Sequence, residues 1–202
     1  TADMTDEQKY EAALQASISF FKAAGYTFDE ATGKFTAAPE GAEMTYEVII
    51  PGGGTGDHPA FGILTAAKEA LATIGITLQI NDPSDSSVWN NALEANTAEM
   101  WAGAWGATVD PDMYQVYHSD NANGKGTNSN HYSIEDADLD EMIIAARNSA
   151  DQSYRKATYK ECLETILDWG VEIPTYQRQN AVVISTERVN VSTMTPDITT
   201  FW

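Results

Sequence analysis

The sequence has a single cysteine, Cys162, so no disulfide can close within the chain. A chain of 202 residues does not need one, because a domain of that size buries roughly 70% of the surface its unfolded form exposes. Cys162 sits in an apolar helical stripe with Leu163 and Ile166 and has no histidine near it in sequence, which reads as core and not as a nucleophile. Basic residues are equally scarce: 11 Lys and Arg face 30 Asp and Glu, a formal net charge of −19. Without a basic stripe to neutralise phosphates, the chain is not expected to bind nucleic acid, nor to dock electrostatically on anionic lipid. The acidic excess reads as a solvated surface that keeps an exported protein soluble. No apolar run approaches the roughly 18 residues of a membrane helix. No signal-peptide pattern is present and the chain begins at Thr1, so it is expected to be a piece of a longer precursor.

What is present is the patterning of a globular α/β domain. Thr5 and Gln8 make a capping box ahead of a helix bearing Tyr10, Leu14, Ile18 and Phe21, which Gly25 ends. Residues 31–43 read as a loop with room for a short hairpin. Tyr46 to Ile50 reads as a buried strand closed by Pro51 and three glycines. A second helix opens at Pro59, carries Phe61, Leu64, Leu71 and Ile74 on one face, and stops at Gly75. Ile76 to Ile80 is a second strand, and Asp85 caps a third helix holding Val88, Trp89 and Leu93. Glu99 to Trp105 is apolar on both faces, as a central parallel strand is. Next comes a long polar segment, Gly106 to Asn130; loops of that length are functional or mobile. Ser133 with Asp136 caps a helix bearing Leu139, Met142, Ile143 and Ala146. Another helix carries Tyr159, Cys162, Leu163, Ile166 and Leu167 and ends at Gly170. Glu172 to Tyr176 and Ala181 to Ser185 read as closing strands.

The central β-α-β-α-β run implies a mixed, mostly parallel sheet with right-handed crossovers and helices on both faces, one domain over residues 1–202. In such sheets ligands bind beyond the carboxyl ends of the strands. That puts two segments on the functional edge: Pro51 to Pro59 (PGGGTGDHP), and the stretch opening at Trp105 (WGATVDPDMY).

The first of these reads either as a phosphate cradle or as a tight, mobile turn; no Gly-Lys-Ser/Thr ending supports the former. Asp110, Asp112, His118 and Asp120 are carboxylates and imidazole in one stretch, but their spacing matches no calcium loop, and no metal or other cofactor is expected. Asp110 and Asp112 are two residues apart beside a proline, with no partner motif, and His58, His118 and His131 are scattered. The chain is therefore read as a non-enzyme, with a hydrolase using Asp110 and Asp112, or a cell-surface interaction domain, as alternatives. Trp101 and Trp105, four apart on a strand, share a face; each either packs the sheet or walls a pocket. Tyr176 and Arg178 end a strand in polar groups, and Arg178 pairs either with a ligand carboxylate or with a surface acid.

Four stretches, in order, resemble the family 5 extracellular solute-binding proteins, the oligopeptide, dipeptide and nickel group served by ABC importers. They are Phe21 to Tyr26 (FKAAGY), Leu71 to Ile80 (LATIGITLQI), Met100 to Asp112, and Ser153 to Arg178. The resemblance implies the carboxyl-terminal lobe of a type II periplasmic-binding-protein-like fold. It implies a monomer that captures a small molecule or peptide between two lobes, at the extracellular face of the membrane or in the periplasm, exported and, as a lipoprotein, lipid-anchored in its full-length form. Partners would be the importer's membrane subunits. By this resemblance the ligand-facing residues are Trp101, Trp105, Gly106, Ala107, Thr108, Asp110, Tyr176 and Arg178. Peptide-binding relatives place an aspartate, which holds the ligand's amino terminus, a few residues before the Asp-Pro pair. Here that stretch is one residue shorter and Ala107 or Thr108 stands in its place, so Asp110 serves that role only if the loop is re-routed.

Overall fold

A computed structural model describes residues 3–106, 108, 110–177 and 183–194. The chain divides into two compact units, Thr1–Thr165 and Ile166–Trp202, with the boundary inside a helix.

In the first unit, α1 (Asp6–Ala23) begins with the expected capping box: Thr5 Oγ1 accepts from the Gln8 amide at 3.2 Å, and Gln8 Oε1 accepts from the Thr5 amide at 2.9 Å. Strands β1 (Thr27–Asp29) and β2 (Lys34–Ala37) form an antiparallel hairpin in the predicted loop. Phe35 of that hairpin joins Tyr26, Ile74 and Ile76 in a buried cluster, on which Leu14, Ile18 and Phe21 of α1 pack.

The main sheet is parallel, with β3 (Thr45–Ile49) between β4 (Thr77–Asn81) and β5 (Met100–Trp101). Helix α2 (Pro59–Thr73) lays Phe61, Leu64 and Leu71 over Val48, Ile50 and Leu78. Asp85 caps α3 (Ser86–Glu94), accepting from the Ser87 amide at 2.9 Å. The result is the expected α/β fold, a parallel sheet flanked by helices. The third strand departs from expectation in two ways. It is two residues long instead of seven, and it lies at the edge of the described sheet. β3 holds the centre, where Val48, Ile49 and Ile50 are all buried. After the Ala102 amide bonds the Ile49 carbonyl at 3.0 Å, the chain leaves the ladder, and aromatic packing takes over from strand pairing.

The long polar segment is built, not slack. It contains a short helix α4 (Tyr114–Tyr117) and a 3-10 turn (Ser119–Asn121). Asn130 is fully buried. Its Nδ2 lies 3.0–3.2 Å from the carbonyls of Tyr117, His118 and Ile134, and its Oδ1 accepts from the Ile134 amide at 3.3 Å. Asn121, also buried, accepts from the Thr127 amide and hydroxyl and donates to the Tyr114 carbonyl. Two asparagine amides thus do for this loop what a ladder does for a strand.

Helix α5 (Ala137–Arg147) is capped by Asp136 itself, which accepts from the Asp138 and Leu139 amides at 3.1 Å each. Ser133, the expected cap, adopts φ of 56° and bonds Asn123 instead. In α6 (Gln152–Trp169), Cys162 is fully buried, and burial pushes its thiol up from its ordinary value.

In the second unit, α6 ends before Gly170, whose φ is 64°. The strand expected over Glu172 to Tyr176 does not form: Ile173 is 84% exposed. Of the strand expected at Ala181 to Ser185, residues 181 and 182 lie outside the described residues, and Val183 to Ser185 are not paired. A strand needs a neighbour for its amides and carbonyls, and these apolar patterns have none among the described residues. No helix among the described residues is long and apolar enough to cross a membrane.

Asn130→Ala removes, at a buried position, the acceptor of the Ile134 amide and the donor to the Tyr117 and Ile134 carbonyls. It should cost about 3 kcal/mol or more, a fall in Tm of about 6–12 °C. Thr5→Ala, at an exposed cap, should cost about 1 kcal/mol. Thermal melts of the two variants, compared side by side, check the ranking.

Candidate functional site

Parallel pairing makes the segments after β3, β4 and β5 leave from one edge of the sheet. The glycine-rich segment after β3 is tied to the segment after β4. Asp82 accepts from the Gly54 amide at 3.0 Å and the Gly56 amide at 3.2 Å. A Cβ on Gly52 would lie 2.5 Å from Asp82 Oδ1, so only glycine lets the backbone come this close. The anion that this turn cradles is the protein's own carboxylate, which answers the phosphate reading.

The aromatic residues gather beside the carboxyl end of β5. A cavity of about 570 Å³ is lined by Trp89, Trp101, Trp105, His131, Glu94 and Asn128, among others. Trp101 stacks on Tyr132 with centroids 5.5 Å apart and meets Trp89 edge-on at 6.4 Å. Trp105 lies parallel to the His131 ring at 6.3 Å and is 46% exposed. Trp89 donates its indole N–H to the Ala102 carbonyl at 3.0 Å, pinning α3 to the end of β5. Burial holds His131 below its ordinary value of 6.5, outweighing the Leu93 carbonyl and the Glu94 carboxylate, which favour the charged ring.

Comparison with solved structures identifies this architecture. An oligopeptide-binding protein from Bacillus subtilis, solved with a nonapeptide, matches at a TM-score of 0.64 with 16% identity, over 78% of this chain and 30% of that one. NikZ from Campylobacter jejuni, solved with Ni(L-His), matches at 0.60 with 18% identity, over 76% of this chain and 29% of that one. The ABC transporter substrate-binding protein CtaP from Listeria monocytogenes matches at 0.51 with 20% identity, over 65% and 26%. The chain has the fold of a solute-binding protein. It spans less than a third of the length of these solved relatives. No protein-family model and no curated protein matches it.

Within this solute-binding fold the expected site residues separate. Trp101 and Trp105 are brought together on the cavity, although only Trp101 is on a strand, so strand alternation is not what unites them. Gly106 is exposed, and Thr108 donates to the Asp110 carbonyl at 2.7 Å. Ala107 and Arg178 lie outside the described residues, and Tyr176 belongs to the second unit, where it is 56% exposed. Asp110 pairs with Arg155, Nη2 to Oδ1 at 2.9 Å, and the same guanidinium donates to the Pro111 carbonyl at 2.9 Å. Asp112 pairs with Arg147 at 3.3 Å and accepts from the Tyr114 amide at 3.1 Å. Each carboxylate of the suggested catalytic pair therefore has its own arginine. Sequence reading missed Trp89, His131, Glu94 and both arginine clamps. A helix residue, and partners as far apart in sequence as Trp105 from His131 or Asp110 from Arg155, carry no local signal of meeting.

Arg155→Met keeps the aliphatic stem and removes the fork, so amide exchange over residues 110–113 should quicken about tenfold while Thr45–Ile49 keeps its protection; exchange mass spectrometry reads both. For His131, the unfolded chain binds more protons than the folded one as pH falls through 6.5. The stability contributed by the neutral ring is present above that pH and is lost below it. Tm should thus drop more for the native chain than for His131→Phe between pH 7.5 and pH 5; parallel curves would contradict this.

Proposed function

We propose that this chain is a lobe of the substrate-binding component of an ABC importer. It captures a small solute, a peptide or peptide-like ligand, in a cleft completed by a second lobe. The observation that carries the reading is the cavity where three tryptophans converge beside the carboxyl end of β5, on a solute-binding fold. Indole walls hold a ligand through contact area and tolerate variety in its side chains, which suits a receptor for mixed solutes. The cavity's volume falls within the range of about 300–1,000 Å³ usual for small-ligand sites. The chemistry is binding, not turnover. Asp110 and Asp112 are each neutralised by an arginine, which supports a structural role for both and lends nothing to a hydrolase.

The same reading places the parent protein outside the cytoplasmic membrane as a monomer, anchored or free, handing its ligand to the importer's membrane subunits. The acidic surface, net charge −19, supports solubility there. A single lobe offers half the contacts, and closure stabilises the bound state only when the ligand touches both faces. In calorimetry the 202-residue chain should therefore bind a mixed peptide library no tighter than the millimolar range. The two-lobe parent should bind tightly and shrink in X-ray scattering when ligand is added. Micromolar binding by the lobe alone, or a parent whose scattering ignores every ligand, would overturn the clamp.

A further inference from the structure

The cavity does more than offer apolar area; its polar groups are spent unevenly. Trp89 gives its N–H to the Ala102 carbonyl, and Trp105 points its own at the Tyr132 hydroxyl, 3.5 Å away. Asn90 donates to the Ser86 carbonyl at 3.2 Å. Asn128 donates to the Glu94 carbonyl at 2.9 Å and accepts from the Gly124 amide at 2.7 Å. These four side chains are thus engaged within the protein, whereas the buried Nδ1 of His131, also on the cavity wall, has no hydrogen-bond partner among the described residues. Glu94 also lines the cavity and is exposed, and its carboxylate makes no hydrogen bond or ion pair with any described residue.

No Lys or Arg among the described residues lines the cavity, and His131 is held toward its neutral form by burial. The wall therefore presents indole faces, whose quadrupoles attract cations, together with the Glu94 carboxylate, unpaired among the described residues, on a chain of net charge −19. Resting on the solute-binding reading and extending it, we propose that this cavity is selective for a cationic group of the ligand, a guanidinium or an ammonium on an aliphatic stem. The stem lies along the indoles of Trp101 and Trp105, and the charged head meets Glu94. A neutral apolar side chain would gain the same area but would leave Glu94 uncompensated. An anionic one would meet that carboxylate and no cation. A sugar would find the Trp89 and Trp105 N–H groups and the Asn90 and Asn128 amino groups already engaged, and would leave Glu94 without a counter-charge.

The test tracks the indole N–H resonances of the chain by NMR, a method that reads millimolar binding. The titrants are N-acetylarginine amide, N-acetylnorleucine amide, N-acetylglutamate amide and methyl glucoside. The arginine amide should shift the indoles of Trp89, Trp101 and Trp105 at a concentration about tenfold below that of the norleucine amide. The glutamate amide should shift them least. Glu94→Gln should erase the difference between arginine and norleucine, and Glu94→Lys should reverse it. Glu94 is exposed, so both variants should fold. Without any substitution, added salt should weaken the arginine amide and spare the norleucine amide. Equal binding of arginine and norleucine, or strongest binding of the glucoside, overturns the cation preference while leaving the cavity as a ligand site. Silence of these indoles toward every titrant overturns the preference and removes the cavity as the ligand's seat. Ligand-driven closure of the two-lobe parent, read by scattering, separately decides whether the chain is a solute-binding lobe at all.

Discussion

The parallel pairing of β3 with β4 on one side and β5 on the other sets the position of every segment that bears on function. Val48, Ile49 and Ile50 bury the middle of this ladder. Because all three strands run the same way, the segments leaving their carboxyl ends emerge on one edge. Hydrophobic burial under α2 fixes the sheet's plane, and the shared direction fixes where a ligand can meet it.

On that edge the molecule satisfies its irregular backbone with side chains. Asp82 takes the amides of the glycine-rich turn, and Asn121 and Asn130 organise the long polar segment from within. Arg155 and Arg147 hold the stretch beyond Trp105 by its two aspartates. This chain has 11 basic residues, so committing two arginines to one loop is a large fraction of its positive charge. Among the described residues the cavity is left with aromatic faces, the Glu94 carboxylate without an ion-pair partner and the His131 Nδ1 without a hydrogen bond. Aromatic walls of this kind select ligands largely by shape and charge.

Much of the architecture was legible in the residues because its signals are local. The capping box at Thr5, the proline opening α2, Asp85 at the head of α3 and Gly170 after α6 each act within a turn of the chain, and each is where expected. The errors have a common cause. Glu99 to Trp105 and Glu172 to Tyr176 carry strand-like composition, yet a strand exists only where a neighbour completes its hydrogen bonds. The first loses its neighbour after Trp101, and the second has none among the described residues. Ser133 failed as a cap because Asp136, closer to the helix, does the work with two bonds.

By itself the sequence determined the periodicities, the breaks, the charge and the direction of the β-α-β-α-β run, because these depend on neighbours within a few residues. It also marked Trp101 and Trp105 as aromatic groups near a strand's end. Only the tertiary structure decided that Trp89 and His131 join them, that Glu94 has no ion-pair partner among the described residues, and that Asp110 and Asp112 face arginines instead of each other. Those outcomes depend on which distant segments share a place in space. That is settled by packing and by the pairing of buried polar groups, summed over the whole domain.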